Sequence, residues 1–235
     1  TNTTVIAAVM VARGDADSMI CGTFGNYLWH MNYVQQMLQT EELIPIGALS
    51  LLILDSGPLF VADTHVNPEP TPEQLAETII ATARHIRRFG IEPNIAVCSN
   101  SQFGTLDTES ARRVREALRL LDAQDLDFVY EGEMNVDAAL DHDLRERLLP
   151  GNRMQGAANV LIFGHTDAAS GVRNILKMKG GGLEVGPILM GMGNRCHIVT
   201  PSITPRGLLN MSALAGTPVA SNAVYAASAS LTAAG

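Results

Sequence analysis

The sequence predicts an α/β protein with a mixed, mostly parallel β-sheet. Short apolar runs alternate with amphipathic stretches along most of the chain, and helix-capping signals flank several of those stretches. Strand followed by helix, repeated this often, is typical of a parallel sheet covered by helices. A turn signal between two neighbouring apolar runs adds an antiparallel hairpin, so we expect a mixed sheet.

Six short apolar runs are predicted strands, because each is brief and bounded by polar or turn-forming residues. Their continuous hydrophobicity indicates strands that are buried on both faces. The hairpin joins Leu51–Leu54 to Leu59–Ala62 through the turn Asp55–Pro58. The predicted strands are Ser18–Gly22, Ala48–Leu54, Ile95–Ser99, Phe128–Tyr130, Asn159–Phe163 and Val185–Met190.

The clearest predicted helix begins at Thr71. Pro72 suits its first position, and Gln74 completes a capping box with Thr71. Gly90 suits its C-terminal cap. Its core face recurs at steps of three and four and comprises Leu75, Ile79, Ala83 and Ile86.

Three further helices follow the same rules. Thr108 caps the first of them, which carries apolar residues at helical spacing. Another is predicted over Val136–Leu149, where Pro150 ends it, and a third over Ser170–Lys179, where three glycines end it.

Composition excludes several classes of protein. The chain has 235 residues and is 46% hydrophobic, so it is not intrinsically disordered. Its 24 acidic residues outnumber its 16 basic ones without a long basic run, so neither nucleic acid nor a membrane surface is expected as a partner. No apolar stretch reaches the roughly 18 residues of a membrane span. Together with three scattered cysteines, this predicts a soluble, cytoplasmic protein, whose Ala/Ser-rich stretch from about Ala220 is a frayed helix or disordered tail.

Ligands of open α/β sheets bind beyond the carboxyl ends of the strands. Those positions hold three small or polar loops: Ser99–Ser101, His165–Asp167 and Gly191-x-Gly193. Their backbone N–H groups can bind phosphate, or the loops can simply be tight turns. The spacing alone slightly favours turns, because it matches neither a dinucleotide fingerprint nor a Walker A motif.

A group of four basic residues stands out in the otherwise acidic chain. It is either a solvated face or a contact for a phosphate-bearing ligand. Its members are Lys177, Lys179, Arg195 and Arg206.

The histidines and serines point to no catalytic or metal site. The six histidines have no metal-ligand spacing, so we expect no bound metal. We expect His30, His85 and His142 on helix surfaces, and His65 and His197 in structural roles. No serine lies in a Gly-x-Ser-x-Gly elbow, so a hydrolase triad is not indicated.

Longer strings of residues carry a family resemblance from about residue 5 to about residue 216. Four strings resemble phosphate acetyl- and butyryltransferases: Arg13–Asp17, Asn67–Thr71, Phe89–Pro93 and Glu184–Met192. Three others are more specific: Asp17–Gly22, Ala168–Lys177 and Ile198–Ser202. They are similar to the phosphotransacetylase-like C-terminal domain of large bacterial NADP-dependent malic enzymes.

This resemblance implies a two-lobed fold like that of isocitrate and isopropylmalate dehydrogenases, with acyl-CoA in the cleft between the lobes. Residues 1–47 would be the C-terminal part of the first lobe and 48–200 the second lobe. Residues 201–235 would supply a C-terminal helix that returns to the first lobe, followed by the tail. Because Thr1 is not an initiator methionine, we expect a chain that is trimmed, processed or cut from a longer one.

Departures from the family pattern bear on activity. Active transacetylases carry Ser-Arg-Gly at the start of the last helix and an Asp six residues after that Arg. Here the motif reads Pro205-Arg206-Gly207, the later position is Ser212, and a further family Arg aligns at Asn32. In the family, the Ser would position the CoA thiol, the Asp would steer the proton and the Arg residues would neutralise acyl phosphate. The resemblance therefore implies no catalytic residue here, although Arg206 can still hold a phosphate.

The function implied is regulatory. The domain would bind acetyl-CoA near Ser99, Asp167, Asn174 and Arg206, and would control malate decarboxylation elsewhere in the parent polypeptide. It would contain no cofactor, since NADP and a divalent metal would belong to the upstream malic enzyme domains. One alternative is an active phosphate acetyltransferase, which converts acetyl-CoA and phosphate to acetyl phosphate and CoA. Another is an oligomerisation block, and self-association into a dimer or higher oligomer is expected in all three cases.

Overall fold

Strands and helices alternate along residues 2–38 and 46–217, the part of the protein that its computed structural model describes. The strands are β1 (Met19–Cys21), β2 (Gly47–Leu54), β3 (Gly57–Ala62), β4 (Asn94–Cys98), β5 (Val129–Met134), β6 (Val160–Phe163), β7 (Leu183–Met190) and β8 (Cys196–Ile198). The helices are α1 (Thr3–Arg13), α2 (Tyr27–Leu38), α3 (Pro72–Arg87), α4 (Glu109–Asp122), α5 (Val136–Leu140), α6 (His142–Leu148), α7 (Thr166–Lys179) and α8 (Pro205–Ala215).

Contacts group the chain into two units. The first comprises Thr1–Ile44 and Gly191–Gly235, and the second comprises Pro45–Met190. The lobe boundaries expected from the sequence put residues 191–200 with the second lobe, whereas these contacts group them with the first unit.

The second unit is built on a sheet with the strand order β5-β4-β6-β3-β2-β7. From β5 to β3 the neighbours are parallel, whereas β2 pairs antiparallel with both β3 and β7. The change of direction occurs at the predicted hairpin, where Leu54 pairs with Gly57 across a two-residue turn. The predicted mixed, mostly parallel α/β sheet is confirmed. The carboxyl ends of β3, β4, β5 and β6 share one side of the sheet, here called the carboxyl edge.

The N-terminal helix caps expected from the sequence are present in the second unit, whereas the C-terminal cap of α3 is Arg88 rather than Gly90. Thr71 and Gln74 form the capping box of α3, and Thr108 accepts from the N–H of Ala111 at the start of α4. The predicted core face of α3 is buried. These two helices therefore begin where local chemistry alone places them.

Two helix boundaries differ from the prediction. The last helix of the second unit begins at Thr166 rather than Ser170, because the His165 ring caps it by accepting from the N–H of Asp167 at 3.1 Å. The stretch Val136–Leu149 forms two helices, α5 and α6, instead of one. Asp141 has an extended backbone between them, and its carboxylate accepts from the N–H of Leu144 at 3.0 Å.

The first unit contains a two-stranded parallel sheet of β1 and β8, with Met19 opposite Cys196. Strand β8 was not predicted, because its three residues have no pattern of their own and it pairs with a strand far away in the sequence. Asn2 caps α1, and Thr204 caps α8.

Two histidines expected on helix surfaces are buried, so that prediction is wrong. His30 is fully buried, with Nδ1 2.9 Å from Thr4 Oγ1 and Nε2 2.6 Å from the Phe24 carbonyl oxygen. His85 is buried against the ring of Phe89. Both lie on helix faces that are wider than an i, i+3, i+4 apolar stripe indicates. The Ala/Ser-rich stretch from Ala220 lies outside the described residues.

Candidate functional site

Asp63 organises the loop that follows β3 at the carboxyl edge. This buried carboxylate accepts through Oδ1 from the backbone N–H groups of Ala48, His65 and Val66, at 3.0, 3.0 and 3.1 Å. Its Oδ2 accepts from the backbone and side-chain N–H groups of Asn67, at 2.9 and 2.8 Å. Burial raises the pKa of the Asp63 carboxyl, and the backbone hydrogen bonds oppose that change. One carboxylate therefore fixes the whole loop.

The same loop is tied to the start of α7. Thr166 Oγ1 donates to the Asn67 carbonyl oxygen at 2.7 Å, and His165 Nε2 lies 3.2 Å from Glu69 Oε1. The predicted site residue Asp167 is the next residue of α7, and its side chain is 94% exposed. The carboxylate of Asp167 is therefore accessible at an edge whose neighbouring loops are fixed.

Ser99 lies at the end of β4 in a loop that is closed by its own hydrogen bonds. Ser99 Oγ accepts from the Ser101 N–H at 2.9 Å. The buried Glu133 carboxylate on β5 accepts from the Gly104 N–H at 3.1 Å and from Arg115 Nη1 at 2.8 Å. Because these backbone donors have internal partners, they are not available to phosphate, and this favours the tight-turn interpretation of the loop.

A shallow groove of about 420 Å³ lies between the starts of α3 and α4. Arg112 contacts Asp107 at 2.9 Å, and Arg113 donates to the Gly164 carbonyl oxygen at 2.9 Å and lies 3.5 Å from Glu109. Since both arginines are partnered and three glutamates share the lining, the groove is a poor site for an anion. Its lining residues are Glu69, Pro70, Thr71, Pro72, Glu109, Arg112, Arg113 and Glu116.

Asn174 lies about two turns into α7, away from the carboxyl edge. It is exposed, and its Oδ1 accepts from Arg173 Nη1 at 3.1 Å. Of the residues predicted to bind the ligand, Ser99 and Asp167 share the carboxyl edge, and Asn174 lies farther along the same unit.

The sequence did not predict a chain of polar groups in the second unit, in which Ser50 and Thr64 are buried and His65 is half-buried. Ser50 Oγ lies 3.3 Å from Thr64 Oγ1, which lies 2.8 Å from His65 Nδ1. Burial, and secondarily the positive charge of Arg173, lower the pKa of His65 to about 3, so the ring is neutral near pH 7. The spacing of these residues in the sequence does not indicate the polar chain, because the pairing of β2 with β3 brings Ser50 close to Thr64 and His65.

Helix α8 in the first unit begins at the motif that departs from the family pattern. Pro205 is its first residue and has neither an N–H nor a hydroxyl to donate. The Arg206 side chain is exposed and makes no hydrogen bond or ion pair with any residue in the described ranges. The Ser212 hydroxyl donates to the Leu208 carbonyl oxygen at 2.9 Å. The start of α8 therefore presents a positive charge without an acid or base beside it on the helix.

Two further predicted features are placed by the structure. Asn32 is exposed on α2, where its Oδ1 accepts from Gln36 Nε2 at 3.3 Å. The four basic residues divide between the units, with Lys177 and Lys179 on α7 and Arg195 and Arg206 in the first unit. A common phosphate contact formed by all four remains a prediction.

Residues 2–38 and 46–217 contain neither a cluster of metal-ligating side chains nor a membrane-spanning helix. No group of three or more His, Cys, Asp or Glu side chains in these ranges could hold a metal ion. No helix in them is both long enough and apolar enough to cross a membrane.

Comparison with known proteins identifies the family. Residues 1–216 match the family model described as phosphate acetyl/butaryl transferase. The chain therefore belongs to this family, as its sequence strings indicated. A phosphotransacetylase from Streptococcus pyogenes has a similar fold, with a TM-score of 0.83 and 24% identity over 90% of this chain and 65% of that one.

Similar relatives of the chain include malic enzymes, which are much longer proteins. The chain is 44% identical to the NAD-dependent malic enzyme of Rhizobium meliloti, over 92% of this chain and 28% of that protein. It is 43% identical to the NADP-dependent malic enzyme of Salmonella typhimurium, over 91% of this chain and 28% of that protein. The chain thus spans little more than a quarter of the malic enzymes that it matches.

Proposed function

We propose that the chain is the phosphotransacetylase-like domain of an NADP-dependent malic enzyme and binds acetyl-CoA as an effector without transferring its acetyl group. The parent polypeptide would decarboxylate malate oxidatively to pyruvate in its other domains, which would hold NADP and a divalent metal. The two-lobed description of the fold, a cytoplasmic location and self-association belong to the same proposal.

The start of α8 is the observation on which the proposal rests. Transfer of an acetyl group to CoA requires a group that takes the thiol proton and groups that stabilise the charge of acyl phosphate. Pro205 supplies no hydroxyl, and the Ser212 hydroxyl is bonded within its own helix. Asn32 carries no charge to replace the family Arg. Of these four family positions, Arg206 is the one that is suited to phosphate, which it can bind through charge-assisted hydrogen bonds without promoting transfer.

Asp167, Ser99 and Asn174 would contact other parts of the ligand. The exposed Asp167 carboxylate accepts hydrogen bonds and repels phosphate. We therefore expect it to accept a hydrogen bond from an amide or hydroxyl group of the ligand. Ser99 and the exposed Asn174 have uncharged side chains, which can also form hydrogen bonds with such groups of the ligand. Arg206 would then provide the charge-dependent part of the affinity.

The relatives support the placement in a malic enzyme. Both malic enzymes compared above are more than 40% identical to the chain, and one is named as NAD-dependent and the other as NADP-dependent. Because the same domain accompanies both cofactors, we assign the choice between NAD and NADP to the remainder of the parent.

Acetyl transfer is the direct test of the missing chemistry. We expect the chain to form no acetyl-CoA from acetyl phosphate and CoA above the background of its Arg206→Ala variant, while an active phosphotransacetylase does so in parallel. The double variant Pro205→Ser, Ser212→Asp restores the family residues and tests whether these positions limit the activity. Turnover by the unchanged chain would contradict the proposal and support an active phosphate acetyltransferase instead.

An oligomerisation block is the remaining alternative, and one surface favours it. Ile175 and Met178 are 65% and 76% exposed on the outer side of α7. These two residues are neighbours at positions i and i+3 of the helix, and contiguous exposed apolar patches, unlike single exposed residues, are typical of a face that another chain covers. A domain with only this role would bind no acetyl-CoA, so calorimetry with acetyl-CoA separates it from the regulatory proposal.

A further inference from the structure

Three charged side chains meet between α7 and β7 in the second unit. Arg173 Nε donates to Glu184 Oε1, and Lys177 Nζ lies 2.9 Å from Glu184 Oε2. The Arg173 side chain is 6% exposed, that of Glu184 8% and that of Lys177 21%. Since both cations contact oxygens of one carboxylate, they lie close enough together to contact a single small anion.

The charges in this cluster do not cancel. Glu184 is the one carboxylate within 4 Å of either cation in the part of the chain that the structure describes, so two positive charges face one negative charge. A partly buried charge without a counter-ion is costly. A bound anion would remove that cost. The anion can reach the cluster from solvent, because the Lys177 side chain is partly exposed.

Both cations also have donors to spare. Arg173 engages Nε with Glu184 and Nη1 with Asn174, and its Nη2 has no hydrogen-bond partner among residues 2–38 and 46–217. The Lys177 ammonium group has three donors, and its salt bridge with Glu184 accounts for one. An oxyanion can accept from the remaining donors without displacing Glu184.

The pKa of His65 responds to the positive charge of Arg173. After desolvation, the charge of Arg173 contributes to lowering the pKa of the half-buried His65, so its ring is neutral near pH 7. A neutral ring leaves the net charge of the cluster at one positive unit. An anion that neutralises Arg173 must in turn raise the pKa of His65, which is a measurable response.

We propose that Arg173 and Lys177 form a subsite for an oxyanion, namely a phosphate or carboxylate group of a small molecule. The subsite lies wholly within the second unit and does not depend on the proposed function. Its ligand group could belong to a phosphate of CoA or to a free metabolite anion. These sources share one chemistry and differ in whether CoA competes with inorganic phosphate.

The test uses the whole chain and inorganic phosphate. We expect phosphate to bind by calorimetry, and the Lys177→Met variant to bind it at least tenfold more weakly. Lys177→Met leaves the Arg173–Glu184 pair intact and makes the cluster neutral. Arg147→Met is the matched control, because Arg147 is exposed on α6 and should retain the full affinity. Thermal unfolding of each variant verifies that it folds.

The His65 ring supplies an independent measurement. Phosphate should raise the pKa of His65, followed by NMR of the imidazole C–H protons, in the unchanged chain but not in Lys177→Met. Competition by CoA would identify its phosphates as the source, and absence of competition would indicate a free anion. Equal phosphate affinity of Lys177→Met and the unchanged chain would overturn the subsite, as would a pKa of His65 that is indifferent to phosphate.

Discussion

Arg145 in α6 and Arg206 in α8 have opposite surroundings. Arg145 is fully buried and donates to Asn152 Oδ1 at 2.9 Å and to the carbonyl oxygens of Ala138 and Gly156, at 2.9 and 2.6 Å. Arg206 is exposed and makes none of these bonds within the described residues. An arginine whose donors are all engaged by the protein holds the fold together, whereas one with free donors can bind a ligand. Sequence alone does not distinguish the two.

Replacing Arg145 should have the largest effect on stability. Arg145→Met fits the same space but leaves several buried carbonyl oxygens without donors, and each such group costs about 1–3 kcal/mol. We expect the free energy of unfolding to fall by about 3–5 kcal/mol, measured by urea denaturation. Arg147→Met removes the same charge from an exposed position and should change it by less than about 0.5 kcal/mol. Similar losses in both variants would show that the buried hydrogen bonds of Arg145 do not matter.

His65 should make the free energy of unfolding depend on pH. Its pKa of about 3 in the folded chain lies below the value of about 6.5 for an exposed histidine, so the unfolded chain takes up the proton first as the pH falls. The contribution of His65 to stability is complete above pH ~6.5 and is lost between pH ~6.5 and ~3, by up to about 1.4 kcal/mol per pH unit. Unfolding measured at pH 7, 6 and 5 should show a smaller pH dependence in His65→Gln. An unchanged slope would mean that His65 does not titrate as a buried ring.

The capping box of α3 should have the smallest effect. Thr71 Oγ1 accepts from the Gln74 N–H at 3.2 Å, and the Thr71 N–H donates to Gln74 Oε1 at 2.9 Å. Thr71→Ala removes the first of these bonds and should lower the free energy of unfolding by about 1 kcal/mol. Thr3→Ala, at an exposed position in α1, is the control and should have no such effect. If both variants unfold alike, the cap does not set the start of α3.

The parts of the fold that the sequence predicted are those determined by neighbouring residues. The cap at Thr71 and the hairpin at Asp55 depend on contacts within a few positions, so their residue types suffice. Strand β8 was missed because it gains its partner β1 only when the chain has folded. The break at Asp141 was missed because an apolar pattern that continues past it conceals the cap of a second helix.

The candidate site divides in the same way. The departures at Pro205 and Ser212 could be found from the sequence, because a motif fixes their positions. The polar chain from Ser50 to His65 could not, because strand pairing assembles it. The sequence also does not indicate that Arg173 donates a hydrogen bond to Asn174, which means that the amide oxygen of this predicted ligand contact already has a partner.

The response of the proposed malic enzyme parent to acetyl-CoA tests the central claim most directly. An inhibitor must bind the less active state more tightly, and malate, to the extent that it favours the active state, must then weaken acetyl-CoA binding by the reciprocal factor. In the full-length parent, Arg206→Ala should raise the acetyl-CoA concentration for half-inhibition by about ten- to a hundredfold, the loss of a charge-assisted contact worth about 1.5–3 kcal/mol. Malate oxidation without acetyl-CoA should be unchanged. The control Arg147→Ala, at an exposed arginine of α6, should change neither malate oxidation nor its inhibition. Inhibition that is the same in Arg206→Ala as in the unchanged parent would contradict the account and place the effector site elsewhere.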